Sequence, residues 1–265
     1  MKLGFIGGGV MAEALITGIR AAKLDASIIV GEPVESRRRA LESQGVASTA
    51  DNREAIEGAD IVVLAVKPQH LDTVVPDLDG ALRPQQTVLS ILAGVKMHSI
   101  GLRLNHDRLI RVMPNTPAQI RRGMSVWTAT PDVPARVKEF AEEALESLGE
   151  QVYVEDEKYV DMATALSASG PAYVFRFIEA LIDGGVLLGM PADMARKLVL
   201  QTVIGSAILT RETGKHPAEL ANLVTSPGGT TAAGLFALEK GRFRATVMQS
   251  VQDAYERGEE LGGGK

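Results

Sequence analysis

The spacing of apolar residues changes along the chain at about residue 155. Before that point, short apolar runs alternate with amphipathic stretches, and glycine, proline or polar residues bound each run. Runs this short and this apolar are typical of strands that are buried on both faces. The predicted strands are LGFI at 3–6, SIIV at 27–30, ADIVVLAV at 59–66, TVLSIL at 87–92, LIRVM at 109–113, MSVWTA at 124–129 and QVYV at 151–154.

Helical patterns such as AEALITGIRAAK and PARVKEFAEEALESLG separate these strands. Alternation of strands and helices predicts right-handed crossovers and a mostly parallel sheet with helices on both faces. We therefore predict an α/β domain over residues 1–157.

The remainder of the chain, residues 158–265, is predicted to be all helical. Its apolar residues have helical spacing, with helices at 171–188, 192–210 and 232–240, and glycines at 189, 214 and 241 mark helix ends. The first two helices are apolar around much of their circumference. They either pack on each other or also bury against a second subunit, and we favour a homodimer built through this domain.

Composition excludes several classes of function. The apolar fraction of 45% suits a packed core, and the scattered positive charges with a net charge of −5 argue against nucleic-acid binding. There is no cysteine, and the four histidines lack metal-ligand spacing, so we expect no metal site. No apolar run is long enough to span a membrane, and the first apolar run is a strand and not a secretion signal. We expect a cytoplasmic protein.

The stretch Gly7-Gly8-Gly9-Val10-Met11-Ala12 follows the first strand and opens the first helix. It matches G-x-G-x-x-A, in which Gly7 allows a tight turn and Gly9 lets a pyrophosphate approach the backbone. Ala12 is small enough for the helix to lie close to the sheet. In this strand–helix context the motif predicts a Rossmann-like dinucleotide-binding domain, with the pyrophosphate at the helix N-terminus.

The end of the second strand bears on the choice of cofactor. Glu32 lies about 20 residues beyond Ala12, where an acid commonly binds the adenosine ribose and selects NAD. Three arginines at 37–39 begin the next helix. One of them can bind the 2′-phosphate of NADP, or all three can form a solvated helix face. The sequence leaves NADH and NADPH open.

Beyond the glycine motif, the chain resembles the pyrroline-5-carboxylate reductase family along essentially its whole length. The family usually has asparagine where Val10 stands, and a Ser-Asn-Arg type run in place of Gly31-Glu32-Pro33. The matching stretches are GFIGGGVMAEAL at 4–15, LAVKPQ at 64–69, SILAGV at 90–95, RVMPNTPAQIRRGMS at 111–125, LSASGPAYVFRFIEALIDGGVLLGMP at 166–191 and LANLVTSPGGTTAAGLFALEKGRFR at 220–244.

This resemblance implies reduction of 1-pyrroline-5-carboxylate to L-proline, the last step of proline biosynthesis, by NADPH or NADH. It also implies a helical domain that interlocks two subunits, and higher homo-oligomers such as decamers. The cofactor-binding residues expected from the motif and the resemblance are Gly7, Gly9, Val10, Met11, Ala12, Glu32, Asn52, Ala65, Lys67, Pro68, Ala93 and Asn115.

Two of these residues also stand out on physical grounds. Lys67 ends a strand at the carboxyl edge of the sheet, where α/β proteins bind ligands. Asn115 lies between two prolines at the end of another strand, and is expected to contact the nicotinamide or else to cap a turn.

The substrate is expected to bind at SPGGTT, residues 226–231, which turns the chain into the predicted helix 232–240. Two glycines allow backbone N–H groups to converge, and the helix N-terminus adds positive potential, so the stretch can hold a carboxylate. The plainer alternative is an ordinary helix cap. The predicted substrate-binding residues are Ser226, Gly228, Gly229, Thr230 and Thr231.

Hydride transfer to a protonated C=N bond needs positioning more than it needs a general acid. The sequence contains no Ser/His/Asp set, which suits reduction of an iminium. The hydroxyl of Thr231 is the predicted catalytic group, placed by the helix start and, in the resembling family, near the substrate nitrogen.

Two other functions stay open at this stage. One is a related enzyme that acts on another cyclic imine or on a 3-hydroxy acid. The 3-hydroxy-acid dehydrogenases usually need a lysine that 170–176 does not supply. The other is a non-catalytic dinucleotide sensor, which would not need the SPGGTT stretch.

Overall fold

The structure, a computed structural model, describes residues 1–262, so 263–265 of the predicted helical domain lie outside the described residues. The described chain divides into two compact units. Among the described residues, the first unit comprises Met1–Ser169 together with 254–262, and the second unit comprises Gly170–Asp253.

Within residues 1–262 the strands form one sheet of eight strands, in the order β3-β2-β1-β4-β5-β6-β7-β8. Every neighbouring pair is parallel except β6 and β7. This confirms the mostly parallel sheet predicted from the sequence. The strands are β1 Lys2–Ile6, β2 Ser27–Gly31, β3 Ala47–Thr49, β4 Ile61–Leu64, β5 Thr87–Ser90, β6 Leu109–Met113, β7 Gly123–Ala129 and β8 Gly149–Tyr153.

Helices cover both faces of this sheet. Phe5 and Ile6 in β1 are both fully buried but belong to separate hydrophobic clusters, because successive side chains of a strand point to opposite faces. The cluster around Phe5 includes α1 and α6, and the cluster around Ile6 includes α3, α4 and α5. The helices are α1 Val10–Ala21, α2 Glu35–Ser43, α3 Asn52–Ile56, α4 Leu71–Leu78, α5 Met97–Leu104, α6 Ala135–Glu146 and α7 Lys158–Ala163.

The first unit extends beyond the predicted boundary at 157/158. Helix α7 packs against β6 and β7. The guanidinium of Arg111 on β6 also donates to the carboxylates of Glu157 and Asp161, at 2.7 and 2.6 Å. Glu157 and helix α7 therefore pack with the sheet as part of the first unit.

The second unit consists of helices that expose apolar side chains. Its helices are α8 Gly170–Leu187, α9 Ala192–Thr213, α10 Pro217–Leu223, α11 Thr230–Lys240 and the first part of α12 Phe243–Leu261. Gly189 follows α8 and Gly214 follows α9, both in the left-handed conformation that suits glycine at a helix end.

Helices α8 and α9 pack on each other where Gly185 lies against Ala195. Ala195 is nevertheless the one buried residue between 170 and 253. Large apolar side chains that remain exposed on the single chain include Phe175, Leu187, Leu198, Ile204, Ile208 and Phe236. A unit of this size that buries one residue needs a further surface to cover it.

None of the helices within residues 1–262 has the length and apolar character needed to cross a bilayer.

Candidate active site

The carboxyl ends of β1, β2 and β4 meet at one edge of the sheet. The chain continues from these strands into Gly7, Glu32 and Ala65. The N–H of Gly7 donates to the carbonyl of Gly31 at 2.8 Å, and the N–H of Ala65 donates to the carbonyl of Ile6 at 2.9 Å. A cleft of about 530 Å³ opens here, beside the point where the strand order reverses. Six of the predicted cofactor residues line it: Gly7, Gly9, Glu32, Asn52, Ala65 and Lys67.

The glycine loop fits a pyrophosphate. Gly7 has a φ of +95°, and a Cβ there would lie 2.9 Å from the carbonyl oxygen of Ala65, so both conformation and space require glycine. A Cβ on Gly9 would meet only that same oxygen, at 4.0 Å, and would otherwise point into open space. Gly9 precedes α1 without a side-chain cap, which leaves the first N–H groups of the helix available to an anion.

Glu32 is fixed in this cleft by the backbone on both sides of it. One carboxylate oxygen accepts the N–H of Gly8 and the other accepts the N–H of Val34, both at 2.9 Å. The residue is only 8% exposed. The contact of Glu32 with a ribose stays a prediction, and the structure shows that its carboxylate ties the glycine loop to the end of β2.

Asn52 and Lys67 contribute polar groups to the same cleft. The side-chain amide of Asn52 donates to Asp77 at 2.9 Å. The side-chain oxygen of Asn52 lies close to Gly31, and a Cβ on Gly31 would come within 2.6 Å of that oxygen. Lys67 is exposed and, among residues 1–262, its ammonium group has no carboxylate partner. It is a cation available to a phosphate.

Pro68 and Ala93 line a second cleft, of about 440 Å³, together with Leu261 and Gly262. The last turn of α12 packs here on the loop that follows β5. A Cβ on Gly262 would lie 2.4 Å from the carbonyl oxygen of Gly94.

An ion pair joins the same two segments. Lys96 donates to Glu259 at 3.2 Å, and this hydrogen bond raises the pKa of the lysine above its ordinary value. The end of the described chain thus holds a loop of the predicted cofactor site, which the sequence did not indicate.

The remaining predicted cofactor residues lie outside the first cleft. Ala12 is fully buried against the sheet, as the motif requires, while Met11 packs against the same core and Val10 is 53% exposed. The amide of Asn115 donates to Ser167 at 3.2 Å, and its oxygen accepts the N–H of Met124 at 2.9 Å. Asn115 therefore joins β7 to the turn before α8, and its contact with nicotinamide stays a prediction.

Three polar side chains of the cleft were missed by sequence reasoning. His70, Thr73 and Asp77 line the cleft from α4 and from the turn that precedes it. Their spacing of three and four residues places them on one helix face. That spacing, directly after a strand end, is the signal that would have found them.

The SPGGTT stretch adopts a tight turn followed directly by a helix. The N–H of Gly229 donates to the carbonyl of Ser226 at 3.0 Å, and Gly228 has a φ of +69°. A Cβ on Gly229 would contact the hydroxyl of Ser226, which would have to rotate, and would lie 3.2 Å from the carbonyl oxygen of Ser226.

Helix α11 begins at Thr230, two residues earlier than predicted, because Gly229 and not a threonine is its N-cap. No side chain caps this helix. Within residues 1–262 the hydroxyls of Thr230 and Thr231 have no hydrogen-bond partner. Thr230 is exposed and Thr231 is half-buried. The first N–H groups of α11 and the hydroxyl of Thr231 are thus free to bind a ligand, whereas an ordinary capped helix would have used one of the hydroxyls.

Among residues 1–262, no group of three or more histidine, aspartate or glutamate side chains is arranged to hold a metal ion.

Two family models match the chain. One, described as pyrroline-5-carboxylate reductase dimerisation, matches residues 157–261, and the other, described as NADP oxidoreductase, coenzyme F420-dependent, matches residues 2–94. Among curated proteins, the pyrroline-5-carboxylate reductase of Synechocystis sp. is 47% identical over 99% of this chain and 98% of its own length. That of Pisum sativum is 41% identical over 98% of this chain and 95% of its own length.

Solved structures of proteins with the same name are also similar to this chain. The chain is similar to the Plasmodium falciparum pyrroline carboxylate reductase with NADP bound, with a TM-score of 0.89 and 32% identity over 99% of this chain and 98% of that one. For the pyrroline-5-carboxylate reductase of Coxiella burnetii the TM-score is 0.86 and the identity 35%, over 98% of this chain and 97% of that one. Because curated relatives of this name are 41% and 47% identical over at least 95% of both chains, this chain belongs to the pyrroline-5-carboxylate reductase family.

Proposed function

We propose that this chain reduces 1-pyrroline-5-carboxylate to L-proline with NADH or NADPH as the hydride donor. Membership of the family supports the reaction, and one structural observation supports the substrate class. The turn at Gly228 and Gly229 leads into α11 without a side-chain cap. Free N–H groups at a positive helix end suit the carboxylate of an amino-acid precursor.

In the first unit, Gly7 and Gly9 would hold the pyrophosphate of the cofactor with backbone N–H groups. Glu32 would accept hydrogen bonds from the adenosine ribose, and Lys67 would neutralise a phosphate. Asn52 and Ala65 complete the walls of the same cleft. The open space above Gly9 is where a phosphate approaches the backbone in such motifs.

We also propose that six further residues bind the cofactor, as the family resemblance implies: Val10, Met11, Ala12, Pro68, Ala93 and Asn115. Ala12 keeps α1 close to the sheet, and Asn115 holds the turn that ends at Ser169. Pro68 and Ala93 shape the neighbouring loops. When bound, the cofactor supplies a hydride from its nicotinamide ring.

In the second unit, the carboxylate of the substrate would accept hydrogen bonds from the N–H groups of Thr230 and Thr231. Gly228 and Gly229 give the turn the shape that exposes those groups, and the hydroxyl of Ser226 lies beside them. A carboxylate held by several N–H groups fixes the orientation of the ring that carries it.

The hydroxyl of Thr231 would accept a hydrogen bond from the protonated imine nitrogen. Such a bond favours the iminium, whose carbon is the better hydride acceptor, and the hydroxyl can exchange a proton with the amine that forms. The reaction then needs orientation and a dry, shaped pocket more than a strong acid.

We further propose that the protein forms a homodimer through the helical unit. The match to the dimerisation model and the exposed apolar side chains of α8 and α9 support this assembly. Larger homo-oligomers, such as a decamer built from these dimers, and a cytoplasmic location remain part of the proposal.

Steady-state kinetics test the proposed reaction. The purified protein is mixed with 1-pyrroline-5-carboxylate and with NADH or NADPH, and proline formation is measured by chromatography alongside cofactor oxidation. Stoichiometric proline and oxidised cofactor support the proposal. Cofactor binding without any turnover would instead indicate a dinucleotide sensor.

A further inference from the structure

The cleft at the end of β2 carries a fixed negative charge. Both oxygens of Glu32 are held by backbone N–H groups, those of Gly8 and Val34 at 2.9 Å each. A carboxylate held at both oxygens and almost fully buried cannot rotate away without leaving two N–H groups unpaired. The charge therefore stays in the cleft when a ligand arrives.

None of the three arginines that could offset this charge hydrogen-bonds the carboxylate of Glu32. Arg37 donates to the carbonyl of Gly8 and pairs with Glu13 at 3.0 Å. Arg38 donates to the backbone carbonyls of residues 32 and 33. Arg39 pairs with Glu35 one helical turn away. None of the three lines the cleft.

A second carboxylate lines the same cleft. Asp77 on α4 lies in its wall and accepts a hydrogen bond from Asn52. The cationic side chain of the cleft is Lys67, which follows β4 and not β2. The wall formed by β2 and α4 is thus acidic, whereas the opposite strand end carries the positive charge.

From this arrangement we infer that the chain prefers NADH to NADPH, and that Glu32 sets the preference. The inference rests on the proposed dinucleotide site. The hydroxyls of an unphosphorylated ribose can donate hydrogen bonds to a carboxylate, whereas a 2′-phosphate offers only acceptors and negative charge. Repulsion at close range in a partly buried cleft is strong enough to separate the two cofactors by at least about tenfold.

Binding measurements without substrate test this inference independently of turnover. We expect titration of the intact protein with NADH and NADPH, followed by fluorescence, to give a dissociation constant at least about tenfold lower for NADH. We expect 5′-ADP to compete better than 2′,5′-ADP. Glu32→Gln, which removes the charge but keeps an acceptor, and Glu32→Ser should both narrow or reverse the ratio of the two affinities.

The ratio separates a charge effect from a structural one. If Glu32 only supported the loop, both variants would weaken the binding of NADH and NADPH equally. The ratio of the two affinities would then stay unchanged, which would overturn the inference. Glu42→Gln removes a carboxylate from the exposed surface of α2 and is the matched control, with an unchanged ratio expected.

The outcomes also separate this inference from the proposed reaction. Tighter binding of NADH with no imine reduction would support the cofactor preference and contradict the reaction. Equal or tighter binding of NADPH by the unaltered protein, or binding of neither cofactor, would overturn the preference.

Discussion

Arg111 and Asp161 form an ion pair of 2.6 Å inside the first unit, where Arg111 is only 1% exposed. Glu157 pairs with the other terminal nitrogen of the same guanidinium. The pair joins β6 to helix α7. Removal of Asp161 leaves the buried guanidinium paired with Glu157 but without its second carboxylate.

We therefore predict that Asp161→Ala lowers the free energy of unfolding by about 1.5–3 kcal/mol, the value of one hydrogen bond between charged groups. Glu259→Ala removes a carboxylate from the partly exposed pair with Lys96 and should cost less than about 1 kcal/mol. Denaturant unfolding of both variants at one fixed protein concentration measures the difference. An equal loss of unfolding free energy in the two variants would show that the buried pair with Asp161 stabilises the fold no more than the exposed pair does.

The glycine loop gives a second prediction. Gly9→Val should abolish dinucleotide binding while the fold survives, because the new side chain enters open space that the pyrophosphate requires. Gly8→Ala should lower stability, because its Cβ would lie 2.8 Å from the side chain of Leu41, which is fully buried and has little room to move. Cofactor titration and circular dichroism of both variants test this. Unchanged affinity in Gly9→Val would contradict the placement of the pyrophosphate.

The third prediction concerns assembly. The full-length protein should sediment as a dimer or a multiple of dimers, and the double variant Ile204→Asp with Ile208→Asp should dissociate. Both side chains are about half exposed on one face of α9 in the single chain. Leu102→Asp, at an exposed position on α5 in the first unit, is the control and should leave the sedimentation unchanged. A monomeric unaltered protein would rule out the proposed dimer.

The architecture was largely predictable from sequence, because buried parallel strands produce short apolar runs that are easy to recognise. Strand β3 was missed because its residues, Ala47–Thr49, include no strongly apolar side chain. The early start of α11 was missed because a glycine N-cap leaves no signal that separates it from a longer turn.

The candidate site was less predictable where it depends on contacts between distant segments. The sequence placed Glu32 at the end of a strand, but nothing in the motif indicated that Gly8 and Val34 hold its carboxylate. Likewise, the contact of Lys96 with Glu259 joins residues that are far apart in the chain. Such pairs follow from the folded geometry and not from local patterns.

The fourth prediction tests the role of the two threonines. Thr231→Ala should lower kcat/KM for the imine by about 10- to 150-fold, the value of one hydrogen bond to a charged group. Thr230→Ala should lower kcat/KM by a smaller factor, because we expect that position to contribute its backbone N–H, which the substitution keeps. Cofactor affinity should be unchanged in both. Full activity of Thr231→Ala would mean that the stretch acts through its backbone alone.

The central claim is that this chain transfers a hydride from the nicotinamide ring to the imine carbon of 1-pyrroline-5-carboxylate. It is tested most directly with cofactor that carries deuterium in place of both hydrogens at C4 of the nicotinamide, in ordinary water. Mass spectrometry and NMR of the product should show L-proline with a single deuterium on its δ carbon. Proline without deuterium at that carbon, or no proline at all, would contradict the account.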